Sequence, residues 1–277
     1  MRTGLAGVWN VLKLWLLLVC FCALLGGVGW LLAGYELLLI LVFCGLLLAL
    51  GLYWTADRIV LGLVGARVLA EGESPLLHST VERLAAAADV AKPKLYVIRD
   101  GFPRALSAGR GPRSSAIVVS TGILQALPPA ELEGVLAHEV GHVRHHDVLV
   151  QVTAVVLAVT LVEASRIGGW FQRALLFVLG PVAAAFVHVL LSPKRELRAD
   201  AAAASLCATP HGLAAALVRL EQASELVAFR ASPATEPLYT INPFEEEGLA
   251  GLFVTHPPVA ERIRRLRALD PEWEQAA

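Results

Sequence analysis

The sequence predicts a mainly α-helical integral membrane protein with about four transmembrane helices and a domain outside the bilayer that contains a small β-sheet. Two observations lead to this fold class. Hydrophobic residues make up 56% of the 277 residues, above the roughly 45–50% that is usual in soluble proteins. The chain also alternates between long uncharged apolar runs and segments of mixed composition. Part of the chain is therefore expected in lipid and part outside it.

Two apolar runs near the N-terminus predict a transmembrane hairpin. Residues 14–33 and 37–56 are uncharged, and each run has about 20 residues, the length of a helix that spans a bilayer. The first run exceeds the roughly 7–15-residue core of a secretory signal, and no small-residue cleavage site with a polar start follows it. We therefore interpret residues 1–56 as a retained membrane anchor.

Residues 57–147 have the mixed composition of a soluble fold, and they are predicted to form the first half of the domain outside the bilayer. Residues 76–90 have apolar side chains at helical spacing. The β-branched runs 95–98 and 116–120 predict strands of a small sheet. A further helix is predicted from the prolines at 128–129 through residue 146, with early acidic residues that suit the helix dipole.

A second membrane hairpin is predicted over residues 148–193, and it splits the domain outside the bilayer. Residues 148–162 are apolar for about 15 residues, short for a span unless the helix extends further. Residues 174–193 form an uncharged run of about 20 residues, which suits a fourth span. Residues 194–277 then complete the domain.

The basic residues near these runs predict the orientation in the membrane. Lys13 precedes the first run and Arg58 follows the second, whereas the turn between the runs has no Lys or Arg. The positive-inside rule places such ends in the cytoplasm. Arg166 and Arg173, in the short outer loop, count weakly against this assignment. We expect a multi-pass protein of the inner (plasma) membrane. Its domain outside the bilayer is expected to face the cytoplasm, and its partners are expected to include the lipid bilayer.

Charge and cysteine content exclude other classes of site. The formal net charge is −1, so the chain has no broad basic field with which to bind nucleic acid. The four cysteines form no Cys-x-x-Cys pair. A disulfide framework or a cysteine zinc site is therefore not expected.

The segment His138-Glu139-Val140-Gly141-His142 is a His-Glu-x-x-His motif on the predicted helix. The four-residue spacing places both imidazoles on one face, within reach of one ion. Zinc accepts such neutral nitrogen ligands at about 2.0–2.1 Å. Glu139 projects beside the pair and can take a proton from a water held there. The motif predicts one Zn²⁺ per chain.

A third ligand has to come from elsewhere in the chain, and Glu196 is the candidate. It follows the fourth apolar run and opens an alanine-rich helical stretch. Asp200 lies four residues later on the same helix face, where it can accept a hydrogen bond from the far nitrogen of a ligating histidine and fix its tautomer. Three protein ligands leave one position open for water, as a catalytic site requires.

With these motifs the chain resembles the HtpX-like peptidases, which are membrane-bound gluzincin zinc metalloendopeptidases related to the CAAX prenyl endopeptidases. The likeness covers nearly the whole chain and is strongest over residues 76–147. The segments that carry it are 116–122, 131–139, the histidine pair, 196–200, and the Leu-Phe-Val-Thr-His-Pro-Pro segment at 252–258 with Arg262. The fold that it implies is a gluzincin-like zinc protease domain split by the second membrane hairpin.

The resemblance implies a membrane protease whose cleft opens to the cytoplasm and which cleaves membrane or misfolded proteins in quality control and stress response. Glu196 would be the third metal ligand in such an enzyme. His256 and Arg262 form a His-Pro-x-x-x-x-Arg segment that lies near the cleft in related enzymes. They are expected to steady the substrate carbonyl or the oxyanion.

Protein or peptide substrates are the expected partners of such a site. We expect an extended substrate to add to an edge strand. The residues assigned to this substrate contact are Ala116, Ile117, Val118, Val119 and Ser120. Two departures from the family pattern bear on cleavage preference: Arg104 stands where the family has an asparagine that contacts the substrate backbone, and Leu197 replaces the aromatic residue after the ligand glutamate.

Two other functions are compatible with the motif. An intramembrane protease would have its histidines within an apolar span, but Glu131, Arg144 and Asp147 surround them here. A non-catalytic zinc-binding scaffold would not need Glu139. His145 and His146 have the wrong spacing from His142 for the same helix face, so they are interpreted as helix-end residues.

Overall fold

The computed structural model describes residues 33–166, 190–226 and 255–270 continuously. It also describes scattered positions within 12–31 and 181–188, together with Trp273. The predicted first span and residues 174–180 of the predicted fourth span therefore lie largely outside the described residues.

The first continuous helix, α1, runs from Tyr35 to Leu63 and so continues past residue 56, where the composition changes. It is apolar nearly all round, and many of its large side chains are exposed, among them Phe43, Leu46, Leu50 and Trp54. Among the described residues, no single helix has both the length and the hydropathy to cross a bilayer. The segments Tyr35–Leu48 and Tyr53–Leu63, bent by 58°, meet that test together. The number of transmembrane helices remains a prediction.

A mixed sheet follows α1. Its strands in chain order are β1 (Arg67–Val68), β2 (Lys94–Ile98), β3 (Ala105–Gly111) and β4 (Ser114–Ser120). Their spatial order is β1-β2-β4-β3, with β4 parallel to β2 and antiparallel to β3. Strands β2 and β4 confirm the two β-branched runs in the sequence. Strand β3 was not predicted, because Ala-Leu-Ser-Ala-Gly-Arg-Gly contains no β-branched residue; pairing with β4 makes it a strand.

The two faces of the sheet bury different sets of side chains, because successive side chains of a strand point to opposite sides. Leu106 and Val118 belong to a core cluster that α1 and the apolar helix after residue 147 complete. Ile117 and Val119 belong to a second cluster with the helix that carries the histidine pair. The sheet thus separates the histidine-bearing helix from the most apolar helices.

Seven further helices are described. They are α2 (Pro75–Ala88), α3 (Thr121–Ala126), α4 (Pro129–Arg144), α5 (Asp147–Arg166), α6 (Pro193–Leu206), α7 (His211–Leu226) and α8 (Val259–Arg267). Helix α2 confirms the helical spacing of residues 76–90, and α4 confirms the helix predicted after the two prolines. Helix α5 falls in the predicted third span, and residues 148–156 are buried throughout.

Helix α4 lies at the centre of the domain, packed by α2, α6 and α7. A close backbone approach locks it to α7: a Cβ on Gly134 would lie 2.5 Å from the backbone nitrogen of Leu213, and a Cβ on Gly212 would lie 2.4 Å from the carbonyl oxygen of Ala130. No larger residue fits either position without moving a backbone. This packing fixes the height and rotation of the histidine pair.

Candidate metal centre

The two histidines of the motif and Glu196 form one buried cluster, each at most 2% exposed. Nε2 of His138 lies 3.2 Å from Nε2 of His142. Oε2 of Glu196 lies 3.4 Å and 3.5 Å, respectively, from these two nitrogens. Ligand atoms about 2.0–2.1 Å from a tetrahedral zinc ion lie about 3.3–3.4 Å apart. The three atoms therefore have the spacing that a single Zn²⁺ requires.

Helix α6 brings Glu196 to the histidines through a close crossing with α4. A Cβ on Gly141 would lie 3.2 Å from the Cα and the carbonyl oxygen of Ala199. Because Gly141 precedes His142 and Ala199 lies between Glu196 and Asp200, the crossing occurs at the site itself. The packing of α4 on α6 turns Glu196 and Asp200, on one face of α6, toward the histidine pair. The sequence predicts this shared face.

The two oxygens of Glu196 have different surroundings. Oε1 accepts a 3.0 Å hydrogen bond from Nη2 of Arg195. Oε2, buried between the imidazoles, accepts no hydrogen bond within the described part of the chain. Burial alone would raise the pKa of Glu196, but His142, His256 and Arg195 hold it well below its ordinary value. An ionised, buried oxygen without a donor fits a cation at this point.

The outer nitrogen of His138 is held by a buried ion pair. Nδ1 of His138 lies 2.9 Å from Oδ1 of Asp200. Arg262 donates to both oxygens of the same carboxylate, at 2.9 Å from Nε and 2.7 Å from Nη2. Burial favours the neutral acid, but Arg262 and His138 lower the pKa of Asp200 to about 2. The carboxylate is therefore ionised and can fix the Nδ1–H tautomer of His138, which leaves Nε2 as the ligand atom.

The outer nitrogen of His142 meets a second carboxylate that the sequence reasoning did not identify. Nδ1 of His142 lies 3.4 Å from Oδ2 of Asp147, and Nη2 of Arg198 lies 3.6 Å from the other oxygen. Burial alone would lower the pKa of His142, but Glu196 and Asp147 raise it to about 9. Asp147 was considered in the sequence only as a charge outside lipid. A signal was available, since a metal-ligating histidine commonly donates its other ring N–H to a carboxylate, and Asp147 follows His142 closely in the chain.

The remaining predicted residues lie around this cluster. Glu139 is 2% exposed and follows His138 on α4. Nε2 of His256 lies 3.4 Å from Oε2 of Glu196, on the side of the ligand atoms. Arg262 instead forms its ion pair with Asp200, beside Nδ1 of His138, at 3.4 Å from that nitrogen. These contacts favour support of His138 over the predicted contact with a substrate carbonyl.

The predicted edge strand is wrong. Residues 116–120 lie in β4, which pairs with β2 on one side and β3 on the other. The side chains from Ile117 to Ser120 are fully buried, so this strand has no free edge for a substrate. The edge of the described sheet next to α4 is β3. Arg104, at the start of β3, forms a 2.7 Å ion pair with Asp100.

Comparison with known sequences identifies the family. The sequence model of peptidase family M48 matches residues 71–270, which include all of the ligands described above. The chain belongs to peptidase family M48. A protease HtpX homolog of Pyrococcus abyssi (strain GE5 / Orsay) is 37% identical over 280 residues, covering 95% of this chain and 96% of the relative.

Two further protease HtpX homologs are similar to the chain over nearly its whole length. A protease HtpX homolog of Pyrococcus furiosus (strain ATCC 43587 / DSM 3638 / JCM 8422 / Vc1) is 35% identical over 283 residues and covers 96% of this chain and 97% of the relative. One from Acidiphilium cryptum (strain JF-5) is 37% identical over 278 residues, with 93% and 96% covered. Among solved structures, the crystal structure of S. mikatae Ste24p matches 96% of this chain and 66% of that chain at 17% identity, with a TM-score of 0.47.

Membership of family M48 makes the chain a metalloprotease, a hydrolase of peptide bonds. The predicted likeness to HtpX-like peptidases is confirmed. Within the described residues, the group of ligand atoms that all lie within 4.8 Å of one another comprises His138, His142 and Glu196, and it includes neither His145 nor His146. The donor set and its spacing fit the zinc chemistry of a family M48 peptidase.

Proposed function

We propose that this chain is a zinc-dependent endopeptidase that cleaves membrane or misfolded proteins at segments exposed to the cytoplasm, in membrane protein quality control. The observation that carries the proposal is the buried triangle of His138, His142 and Glu196 with Glu139 beside it. Two histidines and a carboxylate leave a fourth position for water or substrate, which is the arrangement of a hydrolytic zinc site.

The chain's own residues divide the work of hydrolysis. Zinc bound by the three ligands would polarise the substrate carbonyl and lower the pKa of a water. Glu139 takes the proton of the attacking water and passes it to the leaving amine. Asp200 keeps Nε2 of His138 free of its proton. His256, on the ligand side of the cluster, donates to the developing oxyanion, and Arg262 acts through Asp200.

We further assign the substrate backbone to the outer edge of β3. The backbone N–H of Ser120 donates to the carbonyl oxygen of Arg104, so residues 104, 106 and 108 form the narrow hydrogen-bonded pairs with β4. Alternate residues of β3, Ser107 among them, direct their backbone groups to the outer edge of the sheet. A peptide substrate N-methylated at single positions should lose cleavage at every second position near the scissile bond. Equal loss at consecutive positions would contradict strand addition.

A membrane location is supported by the exposed apolar surface of α1, which a soluble monomer would rarely leave in water. The cytoplasmic orientation rests on Arg58, near the C-terminal end of α1, and on Arg67, which follows the helix. Protease added to sealed inverted vesicles should digest the domain from the exposed cytoplasmic face. Digestion only in vesicles of the opposite orientation would refute this side assignment.

The central test replaces the base and keeps the ligands. Glu139→Gln should lower cleavage of casein by at least about a hundredfold, since general acid–base catalysis contributes about 10²–10⁴-fold, while bound zinc stays at one per chain. Glu133→Gln on the same helix is the matched control, because Glu133 pairs with Arg83 at the surface and touches no ligand. Unchanged turnover in the Glu139 variant would refute the assigned base, whereas the absence of casein cleavage by the wild-type chain as well would favour a non-catalytic scaffold.

A further inference from the structure

A second cavity lies away from the metal centre. It has a volume of about 700 Å³ and lies between α1, the β3–β4 turn and the ends of α2 and α4. The volume falls within the roughly 300–1,000 Å³ of small-molecule sites. None of its lining residues is a metal ligand, although Arg144 follows His142 by two residues on α4 and His146 precedes Asp147.

The charge of this cavity is strongly biased. Arg110, Arg113 and Arg144 line it, with Asp89 as the carboxylate among the lining residues. Among the described residues, none of the three arginines forms an ion pair, in contrast to most of the arginines around the metal centre. Nε of Arg110 is buried without a hydrogen-bond partner. Three guanidinium groups around one space form a site for an anion.

The shape of the guanidinium group favours a phosphate over a simple halide, because its fork of donors matches two oxygens of a phosphate. His146 adds a ring nitrogen at the same wall and Tyr53 adds a phenol. His146 is held there by a left-handed backbone, with φ of 60°, so its ring reaches Gly111 of the turn.

The position beside α1 indicates the source of the phosphate. Tyr53, at the start of the segment Tyr53–Leu63 of α1, lines the cavity. The Arg110 guanidinium stacks on the ring of the next residue, Trp54, at 4.9 Å from the ring centroid. Tyr and Trp are the residues that mark the level of lipid headgroups. Leu46, Leu47 and Leu50 of α1 are about half exposed. An amphiphile can therefore place its headgroup among the arginines and its chains along α1.

We propose that this cavity binds the phosphate-bearing headgroup of an anionic phospholipid. Such binding would join the protease domain to the bilayer through residues that are not metal ligands. It requires neither bound metal nor peptide hydrolysis, but it rests on the membrane location that is part of the proposed function.

The experiment uses the full-length protein in maltoside micelles. Dioleoyl-phosphatidylglycerol, dioleoyl-phosphatidylcholine, glycerol 3-phosphate and inorganic phosphate are titrated separately, and the thermal unfolding midpoint and bound lipid by native mass spectrometry are measured. We expect phosphatidylglycerol to raise the midpoint and to remain bound, phosphatidylcholine to do neither, and glycerol 3-phosphate to compete. Equal effects of the two lipids would overturn the proposal. Protection by inorganic phosphate to which lipid adds nothing would overturn the lipid assignment.

Variants separate the cavity from general surface charge. Arg110→Gln with Arg113→Gln should weaken phosphatidylglycerol binding by at least about tenfold, since each basic residue near an anionic surface contributes about 1 kcal/mol, or about fivefold. Arg264→Gln with Arg265→Gln removes the same charge from the exposed face of α8 and should change binding by less than about twofold. Arg113→Gln alone, at an exposed site, guards against misfolding. Unchanged binding in this single variant and in the double variant would overturn the proposal.

Discussion

His138 and His142 occupy adjacent turns of one helix, but their outer nitrogens are supported by different kinds of neighbours. The His138 arm consists of Asp200 and the fully buried Arg262, with contacts of 2.7–2.9 Å. The His142 arm consists of Asp147 at 3.4 Å and Arg198 at 3.6 Å, and the Arg198 side chain is 40% exposed.

This difference indicates which arm determines the geometry of the metal centre. The His138 arm joins three helices that are distant in sequence, so it forms only in the complete domain. In the His142 arm, the contact of His142 with Asp147 joins residues five positions apart within one helix-to-helix turn, and only the partly exposed Arg198 comes from α6. We infer that the first arm fixes ligand geometry and domain packing together, whereas the second adjusts the basicity of a ligand that is already in place.

Breaking the His138 arm at Arg262 should have the largest effect. Arg262→Gln removes the cationic partner of the buried Asp200 carboxylate, which keeps only its contact with His138, and removing one partner of a buried pair costs about 3–5 kcal/mol. We expect a clear loss in the free energy of unfolding, measured by urea titration of the detergent-solubilised protein, and weaker zinc binding in a chelator competition.

The double variant Arg262→Gln with Asp200→Asn is the control for this prediction. It also removes the buried carboxylate charge and should recover a large part of the lost stability without recovering zinc affinity. A double variant no more stable than Arg262→Gln alone would contradict the assigned ion pair.

The two carboxylates give a matched comparison. Asp200→Asn should weaken zinc binding toward the upper end of the about 10–100-fold range that is typical for partners of ligand histidines, and Asp147→Asn toward the lower end. The physical reason is that Asp200 lies closer to His138 than Asp147 lies to His142. Arg262 also keeps the Asp200 carboxylate ionised. Chelator competition on both proteins at one pH measures the ratio. A larger loss for Asp147→Asn would reverse the ranking of the arms.

The smallest effect is expected at the outer end of the His142 arm. Arg198→Gln removes a partly exposed guanidinium from an ion pair of the kind that contributes about 0–1 kcal/mol, so zinc affinity should change by less than about fivefold. Arg262→Gln measured in parallel supplies the contrast. Equal losses at Arg198 and Arg262 would show that exposure does not distinguish the arms.

Much of this site could be predicted from short-range sequence patterns. The His-Glu-x-x-His spacing is helical, so the shared face of His138 and His142 follows from the period of the helix alone. The same argument predicts that Glu196 and Asp200 share a face of α6. Asp147 escaped prediction because it lies beyond the end of α4, where the left-handed backbone of His146 (φ of 60°) turns the chain back toward His142.

The order of the strands shows where sequence reasoning failed. The β-branched run 116–120 predicts a strand correctly, but periodicity says nothing about which strands flank it. Strand β3 has a weak sequence signal and becomes the edge because it pairs with β4 in a hairpin. Which strand forms the edge is therefore a property of the assembled sheet.

The sequence by itself predicted α2, α4 and the start of α6, two strands and the motif with its metal chemistry, because each depends on residue type and short-range spacing, and it offered Glu196 as the candidate third ligand. The tertiary structure decided that Arg262 supports Asp200, that Arg195 and Asp147 hold ligands, that β4 is interior and that three arginines surround a cavity beside α1. Each of these depends on which helices and strands come into contact, and contacts between residues far apart in the chain are set by packing of the whole domain.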